Sequence, residues 1–221
     1  MLLDIHTHQQ PYKWDEQSII SLSVGEEGFS DSPLLRKEST IPISIGLHPW
    51  HVGKGWKGQV FDDLIPWLSL PQVVAIGEAG IDRLRGGDTT DQLAAFEHQA
   101  QLAKEAGKPL IVHCVKAFDE VIHLHRRAFK HEAWVIHGFR GKGEQALQLL
   151  REGFYLSFGE HYHDEALRQC PTNRLLMETD ESTTDIEALY ALAATLRGVE
   201  IEELKAQVNK NIRFLLKNDN I

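Results

Sequence analysis

The stretch "VVAIGEAGIDRLRGGDTTDQLAAFEHQAQLAKEAGKPLIVH", residues 73–113, decides the fold of this chain. Its apolar ends, 73–77 and 110–113, predict buried strands. Between them, residues 90–109 have helical spacing and stop at Gly107. A strand, a helix and a strand in this order imply two parallel strands joined by a helical crossover. The predicted buried face of the helix consists of Leu93, Phe96, Ala100 and Ala103.

The same alternation continues on both sides of this stretch. Further apolar runs are LLDIH (2–6), IISLSV (19–24), IPISIGL (41–47), AWVIH (133–137), FYLSF (154–158) and RLLMET (174–179). Further helical patterns cover 117–130, 143–153, 185–198 and 200–218. About eight strands in this alternation predict a TIM-type (β/α)8 barrel, built as a single domain over residues 1–221. An open doubly wound sheet is the alternative, but no glycine-rich phosphate loop follows any strand.

We expect the barrel to be distorted near its N-terminus. Only residues 9–17 separate the first two apolar runs, whereas a helical crossover needs about a dozen residues. Residues 25–40 have little helical pattern and contain Gly25, Gly28 and Pro33. The first one or two barrel helices are therefore predicted to be missing or vestigial. The outer face of strands 1–3 would then be under-covered, which would favour a homo-oligomer.

The composition limits compartment and partners. The two cysteines, Cys114 and Cys170, have no metal-type spacing and argue against a disulfide framework. No apolar run approaches the roughly 20 residues of a membrane span, and the N-terminus lacks the pattern of a signal peptide. A cytoplasmic protein without a membrane partner is the expectation. The net charge of −9 disfavours a protein that tracks long nucleic acid through a basic face.

Metal-type side chains stand at the ends of five predicted strands. They are His6 and His8, Glu78, His113, His137 and Asp180. In α/β barrels the active site lies at the carboxyl ends of the strands. An isolated His-x-His is as typical of an exposed strand end, but six such residues in matching positions are hard to explain by chance.

Six nitrogen and oxygen ligands are more than the three protein ligands of a catalytic zinc. They suit two divalent ions about 3.5–4 Å apart that share one carboxylate. Imidazole and carboxylate ligands are compatible with Zn, Mn or Mg. Paired ions would polarise an ester or phosphoryl oxygen and lower the pKa of an attacking water.

The chain resembles the TatD family of metal-dependent hydrolases in seven stretches. These are "DIHTH" (4–8), "SIGLHPW" (44–50), "AIGEAGID" (75–82), "KPLIVHC" (108–114), "VIHGFRG" (135–141), "RLLMETD" (174–180) and "VNKNIRFL" (208–215). "DIHTH" alone also opens the PHP phosphoesterases, but those close with an Asp-x-His pair where this chain has "ETD". The broader amidohydrolases often bridge their ions with a carbamylated lysine, where this chain offers Glu78.

The resemblance implies a TatD-like deoxyribonuclease that cleaves phosphodiester bonds. By this resemblance, one ion would take His6, His8, Glu78 and Asp180, and the second would take Glu78, His113 and His137. Glu78 and Asp180 would be the catalytic residues, the first by bridging the ions and the second by accepting the proton of the attacking water. The substrate rim departs from the family: "HCVK" (113–116) replaces the usual HxR, and Glu181 and Ser182 replace the usual SP after "ETD".

Two further residues are candidate substrate contacts. His48 could contact a substrate phosphate or be a hydrogen-bonded rim residue, and Arg140 could pair with a phosphate in a fork geometry. The expected partners are nucleic-acid ends or a small phosphodiester. Two other functions remain open: a carboxyl-ester or amide hydrolase with the same ions, such as a D-aminoacyl-tRNA deacylase, and a non-catalytic metal-binding scaffold.

Overall fold

Eight parallel strands form one sheet whose order follows the chain. The computed structural model describes residues 4–8, 18–53, 61 and 64–217. The strands are β1 (Asp4–Thr7), β2 (Ser18–Ser23), β3 (Ile43–Gly46), β4 (Val73–Asp82), β5 (Leu110–Val115), β6 (Trp134–Ile136), β7 (Tyr155–Phe158) and β8 (Leu175–Met177). A parallel bridge between Thr7 and Asp180 joins β1 to the chain just after β8. The sheet is therefore a nearly closed barrel, which confirms the predicted TIM-type class.

Six α-helices lie among the described residues. They are α1 (Thr89–Ala106), α2 (Phe118–Leu124), α3 (Gly143–Arg151), α4 (Asp164–Gln169), α5 (Ile186–Arg197) and α6 (Ile201–Leu216). A π-helical turn, His125–Phe129, continues α2. Helix α1 begins after Asp88, whose side chain accepts from Thr90 N, and ends at Gly107 with φ 64°. Five helices agree with the predicted patterns; α4 escaped prediction because its six residues are too short to show a helical period.

The N-terminal crossovers use short turns in place of helices. Between β2 and β3 the chain forms only two 3₁₀ turns, Phe29–Asp31 and Pro33–Leu35. The predicted loss of this helix is confirmed. The other predicted loss, in residues 9–17, lies outside the described residues.

The outer face of β2 and β3 is nevertheless covered. Leucines from the crossovers pack on it, and all of them are buried. They are Leu34, Leu35, Leu64 and Leu70. The prediction of an under-covered face is therefore wrong for these strands, because leucines of the turns replace the missing helix layer.

The described helices pack around the barrel through its apolar side chains. Trp134 of β6 is at the centre of an aromatic group in this layer, with ring centroids 5.1 Å from Phe96, 4.9 Å from His125 and 6.0 Å from Phe154. Over the part of the chain that the structure describes, no helix combines the length and apolar character needed to cross a membrane.

Candidate metal centre

Glu78 lies at the centre of a group of side chains at the carboxyl end of the barrel. It belongs to β4 and is 3% exposed. The five other predicted metal ligands lie around it: His6 and His8 from the β1 end, His113 from β5, His137 after β6, and Asp180 after β8. The fold brings all six together, and their role as ligands stays a prediction.

One carboxylate oxygen of Glu78 faces the end of β1. Its Oε2 lies 3.3 Å from His6 Nε2 and 3.1 Å from His8 Nε2. Asp180 Oδ1 lies 3.8 Å from the first of these nitrogens and 3.9 Å from the second. We refer to His6, His8 and Asp180 as the β1 cluster.

The other oxygen of Glu78 faces a second set of imidazoles. Its Oε1 lies 2.5 Å from His113 Nδ1, 2.6 Å from His137 Nε2 and 3.2 Å from His48 Nε2. We refer to His48, His113 and His137 as the β5–β6 cluster. His48 is thus buried inside the site, with its Nε2 turned to Glu78 and its Nδ1 accepting a hydrogen bond from Trp50 N.

The donors present fit divalent cations. His6 is completely buried, and its ring nitrogens make no hydrogen bond to the described residues, although Nε2 lies 3.3 Å from Glu78 Oε2. A buried polar atom left unpaired costs about 1–3 kcal/mol, which a bound cation at that nitrogen would remove. Among the described residues, four sets of ligand atoms each lie within 4.8 Å of one another: His6, His8 and Asp180; His6, Glu78 and His137; His48, Glu78 and His113; and His137, Glu178 and Asp180. Imidazole nitrogen and carboxylate oxygen are ligands that zinc and manganese accept.

The buried ionisable groups of this site shift one another's pKa values. Burial alone would raise the pKa of Glu78, but the charge of His137 and hydrogen bonds from His113, His137 and His48 hold it well below its usual range. Burial alone would lower the pKa of His137, but Glu78 and Glu178 hold it well above its usual range. An ion bound by His137 requires the neutral imidazole, and the ion would then supply the positive charge beside the buried Glu78 carboxylate.

Asp82 supports His113 from behind. Its Oδ2 lies 3.3 Å from His113 Nε2, on the opposite side of the ring from Glu78, and accepts a 2.7 Å hydrogen bond from Trp50 Nε1. Its Oδ1 accepts from Leu84 N and Arg85 N. Strand β4 was predicted to end before this residue. Its continuation to 82 brings Asp82 to the same cavity as Glu78.

Glu178 lies behind His137 as an ion-pair partner. It is completely buried, and its Oε1 lies 3.4 Å from His137 Nδ1. The same oxygen accepts a 2.6 Å hydrogen bond from Gly138 N. A carboxylate behind a metal-binding imidazole fixes the ring and makes it a better ligand. Sequence reasoning missed Glu178, although its spacing of two from Asp180 in "ETD" was a usable signal.

The β1 cluster is held where the barrel closes. Thr179 donates from Oγ1 to Asp4 Oδ2 (2.7 Å) and from its backbone N to Asp4 Oδ1 (3.1 Å). Asp180 N donates to His6 O, and His8 N donates to Asp180 O, both at 3.0 Å. Burial raises the pKa of Asp4 to about 8. We refer to this joint between β1 and the segment after β8 as the barrel seam.

A cavity of about 680 Å³ opens above both clusters. The side chains of Trp50 and Phe118 form an aromatic part of the cavity wall, and those of Lys116 and Arg140 add cationic groups. Both cations are exposed. Arg140 therefore lies where it was predicted, at the mouth, and its contact with a phosphate stays a prediction.

Known proteins are similar to this chain in sequence and in fold. Residues 4–217 match the family described as TatD related DNase. The chain is 31% identical over 203 residues to the 3'-5' ssDNA/RNA exonuclease TatD of Klebsiella pneumoniae (strain 342), which covers 80% of this chain and 77% of the relative. It is 28% identical over 208 residues to the uncharacterized metal-dependent hydrolase YabD of Bacillus subtilis (strain 168), covering 81% and 80%.

A solved structure supports the barrel fold. The crystal structure of YJJV, a TatD homologue from Escherichia coli K12, matches with a TM-score of 0.80 over 97% of both chains, at 24% identity. The family match extends over nearly all of the sequence and agrees with the resemblance in the seven stretches. This chain belongs to the TatD related DNase family.

Proposed function

We propose that this chain is a metal-dependent phosphodiesterase that acts on DNA ends or small nucleotides, with two divalent ions held on either side of Glu78. The observation that carries this proposal is that the two carboxylate oxygens of Glu78 face different sets of imidazoles. A carboxylate shared in this way is the expected bridge of a two-metal hydrolase.

The proposed ligands of each ion follow from these two sets of imidazoles. The β1 cluster with Glu78 Oε2 would hold one ion, and His113 and His137 with Glu78 Oε1 would hold the other. Bound ions would supply the Lewis acidity that polarises a phosphodiester and acidifies water. Zn, Mn and Mg all suit this mixed donor set.

Asp180 is the proposed proton acceptor. Its side chain is 25% exposed and borders the cavity, so a water beside the β1 cluster can reach it. Its backbone has φ 55°, a left-handed conformation that is uncommon outside glycine. The two backbone hydrogen bonds of the barrel seam hold it in that conformation.

Cations at the mouth favour a phosphodiester over a carboxyl ester. Lys116 and Arg140 line the cavity and would bind the phosphate, the arginine through its fork of N–H donors. The backbone of Lys116 has φ 53°, a left-handed conformation that is uncommon outside glycine. His48 would hold Glu78 Oε1 in place, and its contact with a phosphate stays a prediction.

Net charge and cysteine usage add two further parts to this proposal. The net charge of −9 favours strand ends and short substrates over long duplexes. A cytoplasmic location fits the cysteine usage. Self-association through strands 1–3 no longer has an exposed apolar face on β2 and β3 to support it.

The test is a matrix of ions and substrates. Chelator-stripped protein is given Mg²⁺, Mn²⁺ or Zn²⁺ and assayed on bis-p-nitrophenyl phosphate, single-stranded DNA and a carboxyl ester. We expect phosphodiester turnover that depends on added ion and that Asp180→Asn removes. Turnover of the carboxyl ester alone would instead identify the ester hydrolase, and no turnover with bound ions would identify the scaffold.

A further inference from the structure

Helix α1 buries two glutamines on the face that it turns to the barrel. Gln92 and Gln99 are completely buried and are seven residues, or two helical turns, apart. Leu93, which was predicted for this face, is only half-buried. A buried amide is costly unless its hydrogen bonds are made, so its partners indicate why it is tolerated.

Gln99 holds the backbone next to His48. Its Oε1 accepts from Leu47 N at 2.7 Å, and its Nε2 donates to Leu47 O at 3.0 Å. Leu47 lies between the end of β3 and His48, so one side chain satisfies both backbone groups at this point. Gly46 makes room for it, because a Cβ at that position would lie 2.9 Å from Gln99 Oε1.

Gln92 holds the backbone of Asp82 in the same manner. Its Oε1 accepts from Asp82 N at 2.7 Å, and its Nε2 donates to Asp82 O at 3.1 Å. The same nitrogen lies 3.0 Å from Arg85 O in the following loop. We refer to the hydrogen bonds that each glutamine makes to the backbone of one residue as its bracket. Asp82 in turn contacts His113 Nε2, so the Gln92 bracket leads to the β5–β6 cluster.

The two brackets therefore converge on one side of Glu78. The Gln99 bracket leads to His48 and the Gln92 bracket leads to His113, which both face Glu78 Oε1. The hydrogen bonds of the two glutamines reach no residue of the β1 cluster, whose backbone the barrel seam holds.

We propose that Gln92 and Gln99 are positioning residues for the β5–β6 cluster alone, which set the ion affinity of that side of Glu78 through the backbone of Asp82 and Leu47. This inference rests on the proposed two-ion site. Removing either bracket frees the loop that carries His48 or Asp82, and it leaves the β1 cluster intact.

Gln72 offers a matched control. It is buried, and its Nε2 donates to Leu34 O at 3.2 Å and to Arg36 O at 2.8 Å. These bonds fasten the crossover between β2 and β3 and reach no residue of either cluster. Gln72→Met thus removes a comparable pair of backbone contacts at a distance from the site.

The experiment measures Mn²⁺ affinity one cluster at a time in the full chain. We call the ion proposed at His113, His137 and Glu78 Oε1 the β5–β6 ion, and the ion proposed at the β1 cluster the β1 ion. Asp180→Asn serves as the background that retains the β5–β6 ion, and His137→Asn serves as the background that retains the β1 ion. Gln99→Met, Gln92→Met and Gln72→Met are added to each background. Chelator-stripped proteins are titrated by calorimetry, and their melting temperatures are recorded alongside.

We expect Gln92→Met to weaken the β5–β6 ion by about tenfold, because it loosens Asp82 behind His113. Gln99→Met should weaken the same ion by a similar factor, because it loosens His48 beside Glu78 Oε1. The β1 ion should change less than about twofold, and Gln72→Met should lower the melting temperature without moving either affinity. Should Gln99→Met fail to fold, Gln92→Met alone decides the inference, because it removes the hydrogen bonds that lead to His113 by way of Asp82.

Equal weakening of both ions, or no change in either, would overturn the inference and leave the glutamines as general packing residues. A wild-type chain that binds a single Mn²⁺ would overturn the two-ion site itself, and this result is distinct because it appears before any glutamine is changed.

Discussion

The two clusters that share Glu78 are held in place by different means. The β1 cluster depends on the barrel seam, where backbone hydrogen bonds join His6 and His8 to Asp180. The β5–β6 cluster depends on side chains, with Asp82 behind His113 and Glu178 behind His137. One side is thus part of barrel closure, whereas the other is an arrangement added to strands that are already paired.

Because of this difference, we expect mutations at the seam to lower the stability of the fold and mutations behind the imidazoles to change ion affinity. A change at the seam loosens the barrel and the β1 cluster together, because the same residues serve both. A change behind His113 or His137 should alter one proposed ion site without opening the sheet. The two halves of the proposed metal centre should therefore respond differently to mutation.

The largest effect is expected where the two clusters meet. Glu78→Gln keeps the shape of the side chain but removes the charge shared by both sides, so both ions should be weakened. We expect phosphodiesterase activity to fall by at least about 100-fold, since the ions supply the main electrostatic assistance. Steady-state kinetics and metal analysis check this. Glu144→Gln, on the exposed face of α3, is the matched control and should keep full activity. Comparable activity in the two variants would remove Glu78 from the mechanism.

The next effect concerns the carboxylates behind the imidazoles. Asp82→Asn and Glu178→Gln should each weaken the β5–β6 ion by about 10- to 100-fold, because each loses the charge that orients and polarises a ligand. The β1 ion should be unchanged. Calorimetric titration in the single-cluster backgrounds gives both numbers. Weakening confined to the β1 ion would reverse the assignment of the two carboxylates.

At the seam we expect a loss of stability. Thr179→Val removes the hydroxyl that donates to Asp4 Oδ2 and leaves a buried carboxyl group with one partner fewer. The free energy of unfolding should fall by about 1–2 kcal/mol, and the β1 ion should weaken while the β5–β6 ion does not. Urea denaturation measures the first quantity. Thr179→Ser keeps the hydroxyl and should restore most of the stability; if it behaves like valine, the hydrogen bond is not what matters.

The smallest effect lies away from both clusters. His125 is buried beside Trp134 and Phe154, and burial lowers its pKa. The unfolded chain then binds a proton near pH 6.5 that the folded chain does not, so this residue's contribution to stability is lost as the pH falls below about 6.5.

His125→Phe should remove that dependence. The difference in unfolding free energy between the variant and the wild type should move in favour of the variant between pH 8 and pH 5, while ion affinities at pH 8 stay the same. A difference that does not change with pH would show that His125 is not the titrating group.

Strand ends and crossovers could be predicted from the sequence because each leaves a local pattern. Apolar runs marked the strands, and a side chain directly after such a run falls at the mouth of a parallel barrel. That reasoning brought together His6, Glu78 and His113, which are far apart in the chain. It required no knowledge of side-chain conformations.

The supporting residues left no such pattern. Gln92 and Gln99 occupy apolar positions of a helix, and only the structure shows that they are aimed at the backbone of neighbouring loops. Asp82 was missed because β4 runs beyond Glu78 through Gly80, a residue type that is common in turns. Leu34 and its neighbours cover the outer sheet from turns, where no period announces a buried face.

The most direct test of the two-sided site is to locate the ions. Crystals of the full chain grown with Mn²⁺, with diffraction recorded at the manganese absorption edge, would show the positions of bound ions as anomalous peaks. We expect two peaks, one beside Glu78 Oε2 among His6, His8 and Asp180, and one beside Glu78 Oε1 at His113 and His137. A single peak, or peaks that do not touch Glu78, would contradict the account.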